Sequence, residues 1–141
     1  MIVLDSDHLS LLQHPENPQT QLLLSRMDQS PDQEFTTTAV SLEEQLRGWL
    51  AFINRFSDVS KQIPGYERLV GLVEFFARWN LLPFDQLAAD QFTGLRKAKV
   101  RIGTMDLKIA SIVLVHNAQL VTSNLSDFQK VPGLEVQNWM L

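Results

Sequence analysis

The feature that most constrains this chain is an alternation of short apolar runs with stretches of helical periodicity. Met1 to Asp5 reads as a short buried strand, and Asp7 to Leu12 as a first helix stopped near His14-Pro15. Asn17-Pro18 is a helix start, with Asn17 as N-cap and Pro18 in the first turn. Leu22, Leu23 and Met27 supply that helix with an apolar face. The Thr-rich run from Phe35 to Val40 reads as a second strand. Two helices follow, one opened by Ser41 and running through Leu46, Leu50 and Phe56, the next from about Ile63 to Asn80. Leu81 to Phe84 is a short strand, Asp85 caps the next helix, and Lys97 to Gly103 is a loop. Asp106 to Asn117 is apolar enough to be a buried helix, and Gln119 to Thr122 and Leu134 to Val136 are the last strands, the final one at an edge. Such alternation predicts a three-layer α/β/α fold. Its centre is a mostly parallel twisted sheet of about five strands, with helices on both faces and the paired helices as a protruding hairpin.

The length of 141 residues suits a single domain over 1–141. No run approaches the roughly 18 apolar residues of a membrane span. Asp5, Asp7 and His8 interrupt the first apolar run, unlike a signal peptide. With no cysteine there is no thiolate nucleophile, disulfide framework or Cys-based zinc site, and a cytoplasmic address is expected. The net charge of −4 argues against a general nucleic-acid coating protein but not against a nuclease with an acidic metal pocket.

Four acids, Asp5, Glu44, Asp106 and Asp127, fall where predicted strands hand over to predicted helices. Ligands bind at the carboxyl ends of the strands in such sheets. Carboxylates gathered there repel one another, and a hard divalent cation relieves the repulsion. Each acid also has a plain structural reading. Ser41-x-x-Glu44 matches a capping box, Asn124-x-x-Asp127 resembles a related cap, Asp106 lies in a first helical turn, and Asp5 or Asp7 suits the first helix start. Capping alone does not call for an acid at so many such junctions. With Ser6, Thr104, Thr122 and Ser123 nearby, the rim suits Mg²⁺ or Mn²⁺. His8 is a candidate to line it, whereas His14 and His116 read as surface or helix-end residues.

At these positions the chain resembles a PIN-domain ribonuclease, specifically a VapC-type toxin of a VapBC toxin–antitoxin pair. The likeness rests on Val3-Leu4-Asp5-Ser6-Asp7-His8-Leu9-Ser10, on Glu44 with Gly48, and on Ile102-Gly103-Thr104-Met105-Asp106-Leu107-Lys108-Ile109-Ala110. It continues through Leu120 to Asn124, Asp127-Phe128, Val131-Pro132-Gly133-Leu134 and Trp139. The resemblance implies a metal-dependent endoribonuclease using one or two Mg²⁺ or Mn²⁺ ions and leaving 5′-phosphate and 3′-hydroxyl ends. It implies Asp5, Glu44 and Asp106 as metal-binding catalytic acids. A fourth position is shared between Asp127 and the neutral Asn124, which stands where many relatives have an acid. Glu44 is preferred to Glu43, which points about a hundred degrees away around the helix.

Ser6 and Thr122 are candidates for supporting hydrogen bonds. The basic residues Arg96, Lys97, Lys99 and Arg101, together with Lys108, are candidates to grip RNA phosphates, with a solvated helix end as the competing reading. Arg47 is a candidate to position substrate or pair with the acids. The aromatics from Trp49 to Trp79 are core residues or a groove for a partner helix. The family resemblance further implies a VapB-type antitoxin and a homodimer. Two other functions fit the acids: a small-molecule Mg-dependent phosphohydrolase and a non-catalytic PIN-like binding module.

Overall fold

The computed structural model describes residues 1–141. Five parallel strands form one sheet: β1 (Ile2–Leu4), β2 (Phe35–Thr38), β3 (Leu81–Leu82), β4 (Gln119–Val121) and β5 (Glu135–Gln137), in the spatial order β3-β2-β1-β4-β5. Seven helices connect them: α1 (Ser6–Leu12), α2 (Pro18–Gln29), α3 (Ala39–Asn54), α4 (Val59–Phe76), α5 (Gln86–Lys97), α6 (Thr104–Val115) and α7 (Leu125–Phe128). The expected three-layer α/β/α architecture is borne out. Its physical basis is visible in β1, where Val3 joins one buried cluster while Ile2 and Leu4 join the other. The first cluster is completed by α5, α6 and Phe128, the second by α1, α2 and Leu72 and Phe76 of α4. Six residues of α6 are buried, from Leu107 to Val113, in keeping with its apolar circumference.

The chain lays β2 and β3 to one side of β1, then crosses back to place β4 and β5 on the other. The gap between β1 and β4 is therefore the topological switch point, where ligands settle in open α/β sheets.

Several local expectations are corrected. The second strand ends at Thr38, not Val40, because the Thr38 side chain accepts the Ser41 N–H at 3.0 Å and starts α3 at Ala39. Ser41 is thus inside the helix, and no Ser41–Glu44 capping box forms. The fourth helix starts at Val59, capped by Asp58, and carries Pro64 in its interior. Gly65 lets α3 approach: a Cβ there would lie 2.5 Å from Ile53 Cγ1. Leu22 and Val73 face solvent, leaving Leu23 as the buried anchor of α2 and Leu72 and Phe76 as those of α4. Asn17 and Asp85 cap their helices as expected.

Candidate active site

β1 is the central strand, and the chain leaves it at Asp5. That residue caps α1, with Oδ1 accepting the Ser6 N–H at 2.7 Å, while Oδ2 accepts the Thr122 hydroxyl at 2.7 Å. Thr122, fully buried just after β4, joins the two sides of the switch point through this bond. Asp5 is only 7% exposed. Burial pushes its carboxyl from 3.8 to about 6, against the pull of Thr122 and with added repulsion from Asp7 and Asp106. Ser6 keeps its hydroxyl buried with no partner.

Glu44 lies in the second turn of α3, which β2 delivers to the same rim. Its Oε1 is buried and has no hydrogen-bond partner. Burial, then the charges of Asp5, Asp106 and Asp7, raise this carboxyl from 4.5 to about 7. Glu43 turns outward to pair with Arg47 at 2.7 Å, so Arg47 is engaged there and not with the rim acids.

Asp106 reaches the rim from the first turn of α6. The element before it is α5 and a loop, so, contrary to the expectation from sequence, it does not stand at a strand end. Burial and the charge of Asp127 raise its pKa, partly offset by the Asn124 amide. Asn124 Nδ2 donates to Asp106 and to Asp127, each at 3.2 Å, and its Oδ1 accepts the Ser126 hydroxyl at 3.4 Å. The expected Asn124 cap does not form: its side chain accepts no backbone N–H of α7 and bonds only side chains. Asp127 also takes a bond from Lys130 at 3.4 Å, and Asn124 and Lys130 hold it below the ordinary carboxylate range. Asp127 therefore belongs to the outer side of the site.

Asp7, expected only as an alternative start of the first helix, adds its charge to the rim. Its charge raises Asp5, Glu44 and Asp106 together, whereas of these three Asp127 acts on Asp106. Burial would raise Asp7 itself, but hydrogen bonds from His8 and Ser123 outweigh it and lower its pKa. The only local signal was its place two residues beyond Asp5. His8 does not line the rim: it is fully buried beneath it.

As the side chains stand, no three acidic or histidine groups already form a ligand cage. The donor set nonetheless fits a hard cation. It is all oxygen, one buried carboxylate oxygen is unsatisfied, and the acids depress one another's ionisation.

Arg96, Lys99 and Arg101 line an open cleft of about 640 Å³ whose acidic wall is Asp127. Arg96 stacks over Phe92 at 4.5 Å, and Lys99 adopts the left-handed φ of 63° that turns the chain after α5. Lys97 and Lys108 lie outside this cleft, Lys108 over the Phe84 ring at 5.8 Å. A larger cavity of about 840 Å³ lies among α1, α3 and α4, where Trp49, Phe52 and Phe75 meet Arg55, Arg68 and Arg78. Gln45, next to Glu44, lines it too.

No protein-family model matches the chain. Ribonuclease VapC2 of Rickettsia felis is 43% identical over 69 residues, covering 46% of this chain and 52% of the relative. The tRNA(fMet)-specific endonuclease VapC of Salmonella typhimurium is 32% identical over 78 residues, covering 52% of this chain and 59% of the relative. The chain thus spans somewhat over half the length of these curated relatives. Among solved structures, VapBC-1 from nontypeable Haemophilus influenzae superposes with a TM-score of 0.70 over 100% of both chains at 22% identity. Sequence relatives and fold agree with the resemblance read from the motifs: the chain is similar to VapC ribonucleases over about half of its length and shares the fold of the VapBC-1 structure over all of it.

Proposed function

We propose that this protein is an endoribonuclease dependent on Mg²⁺ or Mn²⁺. It hydrolyses RNA phosphodiester bonds to 5′-phosphate and 3′-hydroxyl ends and acts as the toxin of a type II toxin–antitoxin pair. The observation that carries this reading is the gathering of Asp5, Asp7, Glu44 and Asp106 at the β1/β4 switch point with an unsatisfied Glu44 oxygen. The names of the curated relatives, ribonuclease and tRNA-specific endonuclease, support it.

Asp5, Glu44 and Asp106 would hold the ion, with Asn124 and Asp127 on its outer side. Bound there, the ion supplies Lewis acidity that activates water and polarises a phosphoryl oxygen. The chain's residues do the rest. Thr122 and the Ser6 amide fix Asp5, so its position is set before substrate arrives. Arg96, Lys99 and Arg101 take backbone phosphates in the cleft beside Asp127 and lead the strand across the acids. His8 is committed at both ring nitrogens, so it is not the base, and water is the nucleophile.

The aromatic cavity among α1, α3 and α4 suits the apolar face of an antitoxin helix, with VapB-type partners the class expected. A homodimer working in the cytoplasm completes the reading; no helix is long and apolar enough to cross a membrane. The test is a time course of the purified protein on a mixed RNA pool, with and without Mg²⁺ or Mn²⁺. Cleavage that needs the ion and disappears in Asp5→Asn supports the reading. Equal cleavage by that variant would sink it.

A further inference from the structure

His8 is fully buried, yet both of its ring nitrogens are bonded. The Trp139 backbone N–H donates to Nε2 at 3.2 Å. A backbone amide can only donate, so Nε2 is the bare nitrogen and Nδ1 carries the hydrogen. That hydrogen is given to Asp7 Oδ1 at 2.7 Å, the oxygen that also accepts the His8 backbone N–H at 2.7 Å. The other Asp7 oxygen accepts the Ser123 N–H at 2.9 Å and the Ser123 hydroxyl. Four donors therefore fix one carboxylate at the edge of the acidic pocket.

Trp139 is itself anchored: it is buried, its Nε1 donates to Gln137 at 2.8 Å, and its ring meets Phe35 edge-on at 6.3 Å. A purely structural histidine would need only the Nε2 bond to pin this segment. The Nδ1 bond does something else, since it ends on a carboxylate facing the pocket.

We propose that His8 is a positioning residue of the site. Through Nδ1 it holds Asp7 in one place and orientation against Asp5, Glu44 and Asp106, and through Nε2 it makes the C-terminal segment around Trp139 the support for that hold. The inference rests on the nuclease reading for its kinetic consequence, but not for its geometry.

Two substitutions separate the two bonds. Asparagine places an amide near the Nδ1 position, so His8→Asn keeps a donor for Asp7 and loses the acceptor for Trp139. Glutamine reaches the Nε2 position, so His8→Gln keeps the acceptor and loses the donor. With metal and RNA present, His8→Gln should lose about 10- to 100-fold in kcat, the usual effect of removing an orienting partner, with KM within about twofold. His8→Asn should retain more kcat than His8→Gln while having the lower Tm. A kcat that follows Tm in both variants, or is unchanged in His8→Gln, overturns the proposal.

The ring itself gives a readout independent of activity. Nitrogen-15 spectra of the wild type should show a hydrogen on Nδ1 of His8, with a downfield proton that moves upfield in Asp7→Ala. A hydrogen on Nε2 instead, or a proton indifferent to Asp7→Ala, refutes it. A wild type that cuts no RNA but shows the Nδ1 signal would count against the nuclease reading and leave the positioning geometry supported.

Discussion

Asp5→Asn should make the metal-free protein more stable, although it removes an acid the site is built around. Asp5 titrates at about 6 where an ordinary aspartate titrates at 3.8. At about 1.4 kcal/mol per pKa unit, keeping it ionised costs the fold about 3 kcal/mol at pH 8. Asparagine carries no charge but offers one acceptor where Asp5 offers two, so either the Ser6 N–H or the Thr122 hydroxyl loses its bond. That loss is about 1 kcal/mol, leaving a net gain of about 2 kcal/mol. For a chain of this size the gain corresponds to a rise in Tm of about 6 °C.

The advantage depends on pH in a defined direction. Between pH 3.8 and 6 the folded protein holds the Asp5 proton more tightly than the unfolded chain does. Stability from this group therefore falls as pH rises through that window and levels off above about pH 7. Asparagine does not titrate. The difference between variant and wild type should be near zero at about pH 4.5, where the charge cost is about 1 kcal/mol, and reach about 2 kcal/mol by pH 8. Urea denaturation followed by tryptophan fluorescence in a chelator, at pH 4.5, 6 and 8, measures it. A variant less stable than wild type at pH 8, or an advantage that does not grow with pH, would refute the reasoning.

Thr122→Val removes the buried donor to Asp5. Asp5 then becomes harder to ionise, and the acidic limb of the pH–rate profile should move to higher pH. Lys99→Ala and Arg101→Ala should each reduce the slope of log binding affinity against log salt by about 0.7, the single-strand value per phosphate contact; a slope unchanged in both variants would remove the cleft from the RNA path. Gly65→Ala forces a Cβ against Ile53 and Phe52, at 2.5 and 2.9 Å. It should cost about 1–3 kcal/mol in denaturation experiments, with cleavage per folded molecule unaltered.

What could be read from the sequence was what local chemistry decides. Asn17-Pro18 and Asp85 announce helix starts because their side chains bond amides two or three residues away. The apolar circumference of α6 announces its burial. The sheet follows from the alternation of elements. Where two local signals compete, the weaker-looking one decides the boundary. Thr38 belongs to a β-branched run that favours strand, but its hydroxyl ends the strand by capping α3. The fourth helix reads as starting at about Ile63, yet the Asp58 side chain starts it at Val59 and Pro64 falls inside it.

The site divides the same way. Asp5, Glu44 and Asp106 are legible from their motifs, and the structure brings them to one rim. Asp7 and His8 acquire their places from Ser123 and Trp139, 116 and 131 residues away, a relation no local pattern carries. Asp127 looks equivalent to the others in sequence, but its bonds to Asn124 and Lys130 set it on the outer side.

The chemistry of the RNA ends reports which oxygen attacked the phosphorus, and so whether water activated at the acidic rim does the cutting. An acidic, metal-loaded pocket acting on water leaves a 5′-phosphate and a 3′-hydroxyl. The wild type with Mg²⁺ or Mn²⁺ should give those ends, and Asp106→Asn of unchanged fold none above background. Ends carrying a 2′,3′-cyclic phosphate, or the same products from Asp106→Asn, would contradict it.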